Sequence, residues 1–270
     1  MDFIPDCQAA KNIIRNKRFH EYSQAYICTN EDLRMSMKYI PKNCNRALVV
    51  AASGDHPLFC SLFGAKHVDT FDISYNAKCI MDIKTAAIEC LDYSEYFDLL
   101  LNLWWKSSDF TDIQNMDMVL ENLSSIELEY LYSMKGHSLF NQGAFFGECD
   151  KCMLTEQEYE KLRGIIKEPY NFIMADIMNL SDKLTSSYDF VHLSNIFDYV
   201  DKPKDQFDVL SSLFKHVNVG GRILIEHITD SAWQKNPFLV GKAARTRDVF
   251  KDWRFRKYGG NISCFERVRG

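Results

Sequence analysis

Residues 46 to 91 constrain the fold of this chain more than any other stretch. Arg46 to Ala52 (RALVVAA) is a short apolar run without alternation, the pattern of a strand buried on both faces of a parallel sheet. The turn Ser53-Gly54-Asp55-His56-Pro57 follows, with Asp55 placed to cap a helix and Pro57 in its first turn. Leu58 to Phe63 continues apolar, and Gly64 ends the helix. Lys66 to Ile73 (KHVDTFDI) reads as a second strand with Asp72 at its C-terminal end. From Ala77 to Leu91 apolar residues recur at Ile80, Ile83, Ala87, Cys90 and Leu91, a helical period. Strand, turn and helix repeated twice make half of a doubly wound sheet.

Further strands are expected downstream. Tyr188 to Leu193 (YDFVHL) follows the turn-rich SDKLTSS, and Gly221 to His227 (GRILIEH) follows a break at Gly220-Gly221. Near the end, WRFRKY and ISCFERV flank Gly259-Gly260-Asn261, which suits a β-hairpin. The predicted class is therefore α/β and Rossmann-like, a mostly parallel sheet closed by a C-terminal antiparallel hairpin, as is common in AdoMet-dependent methyltransferase folds. Residues 1–45 read as an N-terminal helical segment and 46–270 as the α/β domain. A helix-favouring stretch at about 97–167, rich in Leu, Met and Glu, interrupts the alternation and reads as a helical insert.

Bulk properties narrow the function classes. The 270 residues are 46% hydrophobic and 26% charged, enough for a sizeable core in an ordinary globular chain. No run approaches the roughly 20 apolar residues of a membrane span, and the N-terminus lacks a secretory pattern, so a cytoplasmic location is expected. Nine cysteines, an odd number, point to reduced thiols. Cys149 and Cys152 have C-x-x-C spacing without a second ligand pair, so no metal is expected there. The net charge of −5 argues against a nucleic-acid partner. From Lys242 onward nine Lys/Arg face three acids, which reads as a solvated basic edge or, alternatively, a patch for an anionic substrate or peripheral membrane contact.

Ligands of open α/β sheets sit at the C-terminal strand ends. Ser53-Gly54-Asp55 offers a close-approach turn before a helix N-terminus, suited to the methionine carboxylate of S-adenosylmethionine (AdoMet), with Asp55 available for its ammonium. Asp72, with Ile73 beside it, stands where a carboxylate accepts hydrogen bonds from both ribose hydroxyls. Asp176 and Ile177, after the apolar run NFIM, are placed for the adenine amino group and ring. Ser194, Asn195, Asp198 and Tyr199 leave a later strand where the transferred group would lie. No G-x-G-x-x-G precedes these acids, which disfavours a dinucleotide.

The run ALVVAASGDHPLFCSLFGAKHVDTFDISYNAKCIMDIKTAAIECL resembles the AdoMet:diacylglycerol 3-amino-3-carboxypropyl transferase family of betaine-lipid synthesis and its shorter bacterial relatives. The family's Ser-Gly-Asp turn is matched by Ser53, Gly54 and Asp55, its following Asp by Asp72-Ile73-Ser74, and its Leu-Lys pair by Ile83-Lys84. SNIFDYV at 194 to 200 is similar to a later family motif. The resemblance implies AdoMet as the bound cofactor, transfer of its aminocarboxypropyl arm and release of methylthioadenosine. The expected acceptor is a small molecule or lipid, and its deprotonation needs a base, for which Asp198, Tyr199 and Tyr22 are the candidates. The alternatives are a small-molecule AdoMet-dependent methyltransferase and a non-catalytic AdoMet-binding protein.

Overall fold

A computed structural model describes residues 3–13, 19–106, 110–141, 153–226, 252–258 and 262–269. Two short strands, β1 (Ala25–Tyr26) and β4 (Phe140–Asn141), pair parallel. The main sheet holds β2 (Arg46–Val50), β3 (His67–Asp72), β5 (Asn171–Met174), β6 (Tyr188–His192), β7 (Val217–Ile225), β8 (Trp253–Tyr258) and β9 (Ile262–Arg267). Their order is β5-β3-β2-β6-β7-β9-β8. The first five are mutually parallel, and β9 runs antiparallel between β7 and β8. The chain steps outward from β2 to β3 and β5 on one side and to β6 and β7 on the other. The switch point thus lies between β2 and β6, and the α/β class with its closing hairpin is the one expected from the sequence. The Gly259-Gly260-Asn261 link and the Cys149/Cys152 pair lie outside the described residues.

The helices are α1 (Cys7–Ile13), α2 (Leu33–Ser36), α3 (Asp55–Leu62), α4 (Tyr75–Cys90), α5 (Tyr93–Trp105), α6 (Met116–Leu120), α7 (Ser125–Ser133), α8 (Glu156–Ile165), α9 (Leu180–Lys183) and α10 (Pro203–Leu213). Between β3 and β5 the start signals are explicit. Asp92 with Glu95, Ser124 with Glu127 and Thr155 with Glu158 form reciprocal capping boxes on α5, α7 and α8. β2 is buried along both faces, as its unbroken apolar run requires. Ala47 and Val49 join a core built with α3, α4 and the 93–165 helices, while Leu48 and Val50 join one built with Leu210, Leu213 and Ile223.

Two local expectations are corrected. Gly220-Gly221 does not break the chain before a strand. It lies inside β7, where Tyr188 pairs with Val217 but Phe190 pairs with Arg222, so residues 218–221 form an irregularity that Gly220 (φ +82°) accommodates. Asp55 does not cap α3. Gly54 occupies the cap position with φ +81°, and Asp55 is the first helical residue, its carboxylate turned to other partners.

Gly54 is needed twice over. Its φ lies in the left-handed region, and a Cβ there would stand 2.8 Å from the Met81 Cα of α4. Gly54→Ala combines a backbone penalty of about 1–2 kcal/mol with overpacking of about 1–3 kcal/mol. Urea unfolding is expected to show a loss of roughly 2–5 kcal/mol, and a change below about 0.5 kcal/mol would mean that α4 is not held against this turn.

Candidate functional site

At the carboxyl ends of β2, β3, β5 and β6 the structure encloses a cavity of about 1040 Å³, at the upper end of small-molecule sites. Ser53, Asp72, Ile73, Asp176, Ile177, Ser194, Asn195, Asp198 and Tyr199 all line it. Gly54, Asp55 and Tyr22 do not. The Tyr22 ring is buried at 5% exposure, and its hydroxyl accepts the Asp6 N–H at 2.9 Å.

Asp72 ties two strand tips together. One of its carboxylate oxygens accepts the Ala52 N–H at 3.0 Å and the other the Ser74 N–H at 2.9 Å. Burial raises its pKa above the ordinary value, opposed by the N–H groups of Ser74, Ala52 and Ile73 and by the charge of His56. Asp176 accepts the Met178 N–H at 2.9 Å and is otherwise exposed at the wall. Ala52 (φ +46°) and Ser194 (φ +53°) are left-handed non-glycine residues leaving neighbouring strands, a strain of the kind that accumulates at ligand sites. Tyr199 meets Phe19 edge-on with centroids 4.8 Å apart, and with Tyr26 they line the cavity as half-exposed aromatics.

Behind the cavity wall lies a buried charged network. Lys84 of α4, at 0% exposure, donates to Asp55. Asp55 also accepts the Ser53 hydroxyl at 2.7 Å and the Thr29 N–H at 2.8 Å, which fixes the loop after β1 against the turn. Two residues along that loop Glu31 receives Ser194 on one oxygen and His56 Nε2, at 2.9 Å, on the other. Desolvation pushes the Glu31 carboxyl up, but the hydrogen bond and charge of His56, the charge of His192 and the Ser194 hydroxyl together hold its pKa below the ordinary value. Desolvation likewise works against charge on His56, and Glu31, Glu226 and Asp55 together hold its pKa above the ordinary value. His192 Nε2 meets Glu226 at 3.0 Å. Glu31, His56, His192 and Glu226 escaped the sequence reading. Their signal was there: His56 heads an apolar helix, and His192 and Glu226 each end an apolar strand.

Solved structures of similar outline include an rRNA methylase from Streptococcus thermophilus, with 11% identity and a TM-score of 0.43 over 89% of this chain and 98% of that one. The rRNA methyltransferase aviRa from Streptomyces viridochromogenes matches with 13% identity and a TM-score of 0.45 over 88% and 82%. The N-methyltransferase NodS from Bradyrhizobium japonicum matches with 8% identity and a TM-score of 0.39 over 88% and 93%. At such low likeness no activity passes from them to this chain. No protein-family model and no curated protein matches it. Among the described residues no helix is long and apolar enough to cross a membrane.

Lys84→Met leaves the Asp55 carboxylate buried without its cation. Removing one partner of such a pair costs about 3–5 kcal/mol, and urea unfolding is expected to show that loss. A cost under about 1 kcal/mol would mean the pair behaves as a solvated one.

Proposed function

We propose that this chain binds AdoMet at the strand-tip cavity and transfers its 3-amino-3-carboxypropyl group to a small or lipid-like acceptor. The observation that carries the cofactor assignment is the convergence of Ser53, Asp72, Asp176-Ile177 and Ser194-Asn195, from four strand ends, on one cavity. The Asp72 oxygens accept the Ala52 and Ser74 N–H groups and have further acceptor capacity for ribose hydroxyls. Ile177 offers an apolar face to the adenine, with Asp176 beside it for the amino group. Asp72, Asp176 and Asp198 line the cavity, and a carboxylate-lined cavity favours a sulfonium cation. Asp55, engaged by Lys84, Ser53 and Thr29, is assigned to holding the turn rather than to the cofactor's ammonium.

The choice of group follows the sequence resemblance at 46–92. In that transfer the acceptor oxygen forms a bond to the aminocarboxypropyl carbon as the carbon–sulfur bond breaks. The electron pair leaves with sulfur as neutral methylthioadenosine, and the acceptor proton goes to a base. Asp198 and Tyr199 line the cavity and are the candidates for that base, whereas the Tyr22 hydroxyl is turned to Asp6. Phe19, Tyr26 and Tyr199 suit an acceptor with an apolar part. Asp198, Asp201 and Asp205, against the single Lys202, disfavour a polyphosphate chain.

AdoMet labelled on both the methyl and the aminocarboxypropyl carbons, incubated with the protein and cell extract, separates the outcomes by mass spectrometry. Labelled methylthioadenosine and an acceptor carrying the aminocarboxypropyl label are expected. S-adenosylhomocysteine would replace the group assigned here by methyl, and the absence of turnover despite binding would make the chain a binding protein. In calorimetry Asp72→Asn is expected to weaken AdoMet binding by roughly 10- to 100-fold, the worth of hydrogen bonds to a charged acceptor. Unchanged affinity would remove Asp72 from the ribose.

A further inference from the structure

Glu31, His56 and His192 come from three elements: the loop after β1, the first turn of α3 and the last residue of β6. Their exposures are 8%, 1% and 0%, and one ligand atom from each lies within 4.8 Å of the other two. Two imidazoles and a carboxylate thus meet beneath the cavity, with Glu226 beside His192. His56 reaches the cluster through Nε2, the nitrogen that faces Glu31.

We propose that these three side chains form a binding site for one divalent first-row transition cation of the Zn²⁺, Fe²⁺ or Mn²⁺ type. Two imidazoles with one carboxylate are the donor set of catalytic zinc and of non-haem iron centres, and imidazole disfavours Ca²⁺ and Mg²⁺. Ligand atoms about 2.0–2.1 Å from a tetrahedral cation stand roughly 3.3 Å apart. The His56–Glu31 separation of 2.9 Å is close to that before any movement. The supporting shell is also present. Glu226 bonds His192 Nε2 at 3.0 Å, which leaves the Nδ1 lone pair, shared with the Ser194 N–H at 3.3 Å, as the donor to a cation, and the Ser194 hydroxyl bonds Glu31. His56 and Ser194 line the cavity, which gives a cation its route in and leaves room for a water or an acceptor oxygen as the remaining ligand. The donor set is the same whether or not AdoMet binds above it.

The test uses the full chain without a histidine tag, kept reduced and stripped with a chelator. Zn²⁺ calorimetry measures stoichiometry and affinity, and Co²⁺ absorption reports the donor atoms. Binding of about one cation per chain is expected, with Co²⁺ ligand-field bands of nitrogen–oxygen type and no thiolate charge transfer. His56→Ala and His192→Ala are expected to weaken Zn²⁺ by at least about tenfold, whereas His67→Ala, at an exposed position, leaves it unchanged. Failure to bind, affinity unaffected in both variants, or thiolate charge transfer in the Co²⁺ spectrum would overturn the site. Should circular dichroism show that the histidine variants do not fold, Glu31→Gln and the wild-type Co²⁺ spectrum decide between the same outcomes.

Discussion

The buried pairing of Lys84 with Asp55 holds the site together. Desolvating an ammonium and a carboxylate is expensive, so such a pair fits positioning better than net stability. Three segments meet on it: α4 brings the lysine, the turn after β2 brings Asp55 and Ser53, and the loop after β1 is drawn in through the Thr29 N–H. Gly54 makes the arrangement sterically feasible, since any Cβ there would strike α4. Once the Thr29 loop is docked, Glu31 lies against His56 and Ser194, so the charged cluster under the cavity inherits its geometry from one ion pair.

The cavity has an electrostatic sense of its own. The carboxylates of Asp72, Asp176 and Asp198 line it, and the ammonium of Lys84 is spent on Asp55 behind it. On the proposed chemistry the cofactor arrives as a sulfonium and leaves as an uncharged thioether. The same acids that favour the cation then favour the product less, so the field holds the cofactor more tightly than its uncharged by-product.

Much of this was legible in the chain. β2, β3 and β6 followed from apolar runs bounded by turns, α4 from its helical period, and the closing hairpin from two β-favouring runs about a glycine-rich link. Asp72, Asp176 and Ser194-Asn195 could be placed at strand ends because strand ends are local features. What escaped depends on tertiary assembly. Glu31 meets His56 across 25 positions and Ser194 across 163, separations that no periodicity reports. Asp55 resembled a helix cap because its spacing was right, but Gly54 takes the cap position and the Asp55 carboxylate is held by Lys84, Ser53 and the Thr29 N–H. Gly220-Gly221 looked like punctuation because glycine pairs often are, and here they bend a strand instead. Tyr22 sits in the aromatic cluster with Phe3 and Tyr130, a packing role its sequence neighbours did not announce.

A crystal structure of the chain with S-adenosylhomocysteine tests the central assignment most directly. The ribose hydroxyls are expected on the Asp72 carboxylate, the adenine between Ile177 and Asp176, and the amino-acid arm toward the turn at Ser53. A nucleoside bound elsewhere on the molecule, or no binding at saturating ligand with the strand tips unchanged, would contradict it.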